Sequence, residues 1–121
     1  MRRTVLHFLD DIKEAIDKIQ TYTAGTSYEK FLADQKTKDA VVRNFEIIGE
    51  AVKNLPEELK SRHPSVAWKQ VAGLRDVMAH GYYRVDYEVL WGVITDILPG
   101  FKTEIVKILR HETTREKKSQ K

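Results

Sequence analysis

Apolar residues recur at helical spacing through most of the chain. Val5, Phe8, Leu9, Ile12, Ala15, Ile16, Ile19 and Tyr22 trace one face, while Asp10, Asp11, Lys13, Glu14, Asp17 and Lys18 fill the other. This division predicts an amphipathic first helix. Gly25 stands where a left-handed residue would end it, and Ser27 is suited to cap the next. A second helical region runs to about Asn54, with an interruption expected near Gln35 to Thr37. Its stripe of Val41, Phe45, Ile48, Val52 and Leu55 is the pattern of a packed antiparallel helix. Pro56 suits the first turn of a short helix through Glu57, Glu58 and Leu59, and Pro64 disfavours helical geometry at His63.

A fourth helix is expected from Ser65 or Val66, carrying Trp68, Val71, Leu74 and Met78 inward and ending at Gly81. Asp86 is placed to cap a last long helix with the stripe Leu90, Ile94, Ile97, Phe101, Ile105 and Ile108. Pro99 falls inside that stripe and predicts a kink or local break. Nothing alternates with period two over a useful length, and there are no internal repeats. The pattern therefore predicts an all-α fold, a compact bundle of about four or five helices.

Composition narrows the class. The 121 residues suit one domain, expected over residues 1–110, followed by a charged, disordered tail over 111–121. Cysteine is absent, which excludes disulfides and thiolate metal sites and suits a reducing compartment. No apolar run approaches the roughly 18 residues of a membrane span, and Met1-Arg2-Arg3-Thr4 leads into mixed apolar and charged residues. A cytoplasmic, soluble protein with no membrane partner is expected. The net charge of +3 is concentrated at the end of the chain. Five of the 21 basic and two of the 18 acidic side chains lie in residues 110–121, which leaves 16 of each sign elsewhere. The body is neutral, so its charge does not by itself point to nucleic acid.

Candidate chemistry gathers in Gly73-Leu74-Arg75-Asp76-Val77-Met78-Ala79-His80-Gly81-Tyr82-Tyr83. Asp76 and His80 are four residues apart and share a helix face, so the carboxylate can orient the imidazole. Arg75 and His80 lie roughly 140° apart on an ideal helix and can flank one groove. Metal-free RNA cleavage needs a base for the 2′-hydroxyl proton, an acid for the leaving 5′-oxygen and a cation for the phosphorane. Histidine titrates near neutrality, and the guanidinium fork matches phosphate oxygens. An Arg-x4-His pair alone is nonspecific. It is equally read as a surface ion pair at Arg75 and a helix-end His80, with Tyr82 and Tyr83 as packing residues.

The chain also resembles the HepT-like HEPN family, from Met1 to about Leu109. Matching stretches include Tyr22-Thr23-Ala24-Gly25, Asp39-Ala40-Val41-Val42-Arg43-Asn44, Ile47-Ile48-Gly49-Glu50-Ala51 and His63-Pro64-Ser65-Val66-Ala67-Trp68. Val85-Asp86-Tyr87-Glu88-Val89-Leu90-Trp91 and Leu98-Pro99 match as well. The family hallmark, Arg-x4-His-x-Tyr, falls on Arg75, His80 and Tyr82. The resemblance implies a homodimeric, metal-independent RNase toxin of a type VII-like toxin–antitoxin pair, cleaving RNA with Arg75 and His80. It implies no cofactor and no metal. It also implies an MntA-like nucleotidyltransferase antitoxin that transfers AMP from ATP to Tyr82. Adenylate beside Arg75 would occupy the phosphate site and repel the RNA backbone. Tyr83 is chemically equivalent, and only the motif selects Tyr82. Where the family often has asparagine after the motif arginine, this chain has Asp76, which can either orient His80 or oppose phosphate binding.

Some family members are non-catalytic, so a helical adaptor that binds a nucleotidyltransferase is the alternative, and a purely structural dimer is a third reading. Arg43, Asn44, Glu46 and Glu50 suggest either a solvated face with local ion pairs or groups reaching the cleft. His7, His63 and His111 lack paired ligand spacing and predict no metal site. Trp68, Tyr87 and Trp91 are expected to anchor the core or an interface.

Overall fold

The computed structural model describes residues 4–74 and 85–119. Among these, every regular element is helical: α1 Val5–Thr23, α2 Tyr28–Ala33, α3 Gln35–Asn54, α4 Glu57–Arg62, α5 Trp68–Ala72, α6 Tyr87–Gly92, a π-helical turn Val93–Ile97 and α7 Leu98–Ser119. The all-α expectation holds.

Helix α1 starts at Thr4, whose Oγ1 accepts from the His7 backbone N–H at 3.3 Å while His7 Nδ1 accepts from the Thr4 N–H at 3.4 Å. Histidine thus takes the part that glutamate or glutamine usually plays in a reciprocal cap. The helix ends before Gly25, whose φ of 69° would strain any side chain. Ser27 caps α2 and Asp86 caps α6, as expected. The interruption in the second helical region falls at Asp34, which closes α2 and caps α3 by accepting from the Thr37 N–H and hydroxyl. Helix α4 stops at Arg62, before Pro64.

The core lies where α1 packs along α3 and α7, with α2 and α5 set against α3. Leu9, Ile12, Ile16 and Ile19 of α1 meet Val41, Phe45, Ile48 and Val52 of α3 in one cluster, all at 0–1% exposure. Each such side chain contributes roughly 1.5–3 kcal/mol by leaving water. At the rim, Lys102 of α7 reaches Asp17 of α1 at 2.7 Å, and Lys13 reaches the same carboxylate at 3.0 Å.

Three expectations are corrected. Helix α5 begins at Trp68 rather than Ser65 or Val66, because the chain turns after Pro64. The carbonyl of His63 there accepts from both the Val66 N–H and the Trp68 indole. Trp68 and Val71 are buried and Leu74 packs against the core, while Met78 and Gly81 lie outside the described residues. Ile97, assigned to the inward stripe, is 55% exposed, and Leu98 is buried in its place. The wider π turn over Val93–Ile97 adds about one residue to the local repeat, so the apolar seam slips by one position. It also precedes Pro99, which has no N–H to give the helical ladder. Finally, the segment expected to be a disordered tail is helical through Ser119. Glu112 is buried and tied to α4, which a reading of local charge could not show.

Candidate functional site

Arg75, Asp76, His80 and Tyr82, the sequence-derived site residues, and Tyr83 beside them lie outside the described residues. The chain on either side of them is well anchored. On the N-terminal side, α5 packs on α3 through Trp68 and Val71, both buried, and Trp68 Nε1–H donates to the His63 carbonyl at 3.0 Å. On the C-terminal side, Val85 and Tyr87 pack against the core. Phe31 of α2 meets Trp91 at a ring separation of 5.1 Å and Tyr87 edge-on at 6.1 Å. Tyr28 lies 6.0 Å from Trp91. Trp68, Tyr87 and Trp91 therefore serve packing in the core, one of the two roles expected of them.

Tyr28, Leu32, Gln35, Lys38, Val85, Asp86, Tyr87 and Glu88 line a cleft of about 690 Å³. Lys38 Nζ sits 4.8 Å from the centre of the Tyr87 ring, a cation–π contact. Burial, with help from the Asp39 charge, pushes the Tyr87 phenol above its ordinary value, so the ring stays neutral and stacks as a hydroxyl-bearing aromatic.

The polar residues of α3 separate into two roles. Arg43 and Glu46 form an exposed ion pair at 3.7 Å, the solvated-face arrangement. Asn44 is buried, and its Nδ2 donates to the Ala40 carbonyl at 2.8 Å. Its side chain borders a shallow cleft of about 280 Å³ with Asp11, Glu14 and Lys18 of α1.

A second cluster went unseen in the sequence. Where α4 ends against α7, Glu112 is 4% exposed. Its Oε1 accepts from Arg62 Nη2 at 2.8 Å, and its Oε2 accepts from Arg62 Nε at 3.4 Å and lies 3.0 Å from His63 Nε2 and 3.1 Å from His111 Nδ1. The two imidazoles meet edge to face, 5.2 Å between centres. Burial pushes the Glu112 carboxyl up. The hydrogen bonds from Arg62, His63 and His111 outweigh that and hold it at about 2. An ionised carboxylate only accepts, so His63 Nε2 and His111 Nδ1 both carry their protons toward it. Forty-eight residues separate His63 from His111, and no local spacing announces the meeting.

The helices of the described residues place the chain among small all-α proteins. A family profile described as Ribonuclease HepT-like matches residues 12–108. The chain is 42% identical over 108 residues to a protein of Thermococcus cleftensis named a probable ribonuclease HepT, covering 89% of this chain and 98% of that one. A protein of Methanocaldococcus jannaschii named as a candidate RNase is 40% identical over 109 residues, 90% of each chain. Another, from Caldanaerobacter subterraneus subsp. tengcongensis, is 39% identical over 106 residues, 88% of this chain and 91% of that one. No solved structure matches the chain significantly. The chain belongs to the HepT-like family of HEPN proteins.

Proposed function

We propose that the protein is a metal-independent endoribonuclease whose reaction is carried by Arg75 and His80. The observation that supports this most is the family match over residues 12–108, which spans the whole Arg-x4-His-x-Tyr segment, together with relatives named as RNases. In this reading the ribose 2′-oxygen attacks the adjacent phosphorus and the P–O5′ bond breaks. His80 moves the proton at one end of that displacement, taking it from the 2′-hydroxyl or giving it to the leaving 5′-oxygen, and water exchanges the proton at the other end. Arg75 balances the charge that builds on the equatorial oxygens, where a fixed cation stabilises the phosphorane more than the ground state. Asp76, four residues before His80, orients its imidazole.

The same reading makes the protein a cytoplasmic, homodimeric toxin held in check by an MntA-like nucleotidyltransferase. AMP transferred to Tyr82 blocks the phosphate site with charge and bulk. One observation favours a second reading, a non-catalytic adaptor for the nucleotidyltransferase. Outside residues 110–121 basic and acidic side chains balance, whereas RNA-binding surfaces are commonly basic.

The test is cleavage of a mixed RNA panel by the chain before and after incubation with ATP and the cognate nucleotidyltransferase, with intact mass read in parallel. The proposal expects cleavage by unmodified protein, discrete AMP additions, and loss of cleavage in step with them. Tyr82→Phe should cleave and resist both modification and inhibition. An unmodified, folded protein that cleaves none of the panel would move the adaptor reading to the front.

A further inference from the structure

The cluster at the α4–α7 contact has a makeup that the Arg75–His80 chemistry does not use. Two imidazole nitrogens and one carboxylate oxygen, His63 Nε2, His111 Nδ1 and Glu112 Oε2, all lie within 4.8 Å of one another. We propose that His63, His111 and Glu112 form a binding site for a divalent transition-metal ion of the zinc class, pinning the end of α4 to α7.

The geometry is close to what such an ion needs. With zinc–ligand bonds of about 2.0–2.1 Å, neighbouring ligands of a tetrahedron stand about 3.3 Å apart. Glu112 Oε2 already sits 3.0 Å and 3.1 Å from the two ring nitrogens. Opening those edges by a few tenths of an ångström, and drawing the rings together, admits the ion. Binding needs His63 Nε2 and His111 Nδ1 bare: a neutral ring moves its proton to the other ring nitrogen, and a protonated ring releases one proton to solvent.

Two surrounding features support the site. Arg62 grips both carboxylate oxygens, Nη2 to Oε1 at 2.8 Å and, more weakly, Nε to Oε2 at 3.4 Å, which fixes the carboxylate plane with Oε2 close to the imidazoles. An open cavity of about 280 Å³, lined by His63, Ser65, Glu104, Lys107 and His111, borders both histidines. It gives the ion a route in and gives water the fourth position. Two imidazoles with one carboxylate suit zinc, cobalt or nickel, whereas magnesium and calcium prefer all-oxygen shells. The positive charge of Arg62 beside the ion lowers affinity, so the site should be weaker than a cage without such a neighbour.

The experiment is a Zn²⁺ titration of the chelator-stripped, full-length chain against a chromophoric competitor, with Co²⁺ absorption reporting coordination geometry. The expected result is one saturable Zn²⁺ per chain and a tetrahedral Co²⁺ spectrum. His111→Ala, at a half-exposed side chain, should leave the fold intact and weaken binding at least ~10-fold. His63→Ala should do the same, and His7→Ala should bind as the wild type does. Zinc should raise the melting temperature of the wild type and not of His111→Ala. Absence of saturable binding in the wild type, or binding unchanged in both His63→Ala and His111→Ala, would overturn the proposal. So would a loss of binding that follows His7→Ala or His80→Ala instead. Each readout is metal binding, so the result stands apart from whether the chain cleaves RNA.

Discussion

Glu112→Gln is the substitution that probes the fold most sharply. The side chain is 5% exposed, faces Arg62 and two histidines, and has its carboxyl held at about 2 rather than 4.5. Folding therefore weakens its hold on a proton. The stability this supplies is fully present above about pH 4.5 and is lost as pH falls through about 2. A displacement of that size corresponds to about 3 kcal/mol. Arg62 and His111 are 25% and 58% exposed and recover some hydration when the charge is removed, which brings the expected cost to about 2–3 kcal/mol. Gln keeps the size and one acceptor but turns an amide N–H₂ toward donors. In a domain of this size the loss lowers Tm by roughly 6–12 °C. The assay is urea unfolding followed by helical circular dichroism, in EDTA so that no metal contributes. The gap between wild type and variant should be open at pH 5 and close as pH approaches 2. A gap below about 0.5 kcal/mol at pH 7, or one that does not respond to acid, would refute the electrostatic account of this contact.

Other consequences can be measured on the same protein. Phe45→Ala empties a fully buried position between α1 and α3 and should cost about 3–5 kcal/mol in urea unfolding; a loss under 1 kcal/mol would contradict the placement of the core. Arg43→Ala removes one arm of an exposed ion pair, and its unfolding midpoint should match that of the wild type within about 0.5 kcal/mol. Thr4→Ala deletes the cap of α1 and should cost about 1 kcal/mol, seen first as faster amide exchange in the opening turn of that helix.

Much of the bundle is legible in the sequence because its causes are local. The Val41, Phe45, Ile48, Val52 stripe needs only the helical period, and Ser27, Asp86 and Gly25 act on backbone groups within three residues. What escaped depends on geometry or on distant partners. The inward position passes from Ile97 to Leu98 because a π turn changes the period just where the 3.6-residue rule is being applied. The last turns of α7 look like a solvated tail until Glu112 is seen to meet Arg62, 50 residues earlier. The motif residues Arg75, His80 and Tyr82 stood out through resemblance to a family, since their spacing alone fits an ordinary surface helix. His63 and His111 could not be paired at all before α4 and α7 were brought together, because neither has a ligand-type neighbour at helical spacing.

The most direct measurement is RNA cleavage by the purified, AMP-free protein in EDTA, beside Arg75→Ala and His80→Ala variants whose helicity matches the wild type. The account predicts cleavage by the wild type and a loss of at least ~100-fold in each variant, as expected when a transition-state cation or a proton-transfer group is removed. Equal rates in wild type and both folded variants, or no cleavage by any of them, would contradict it.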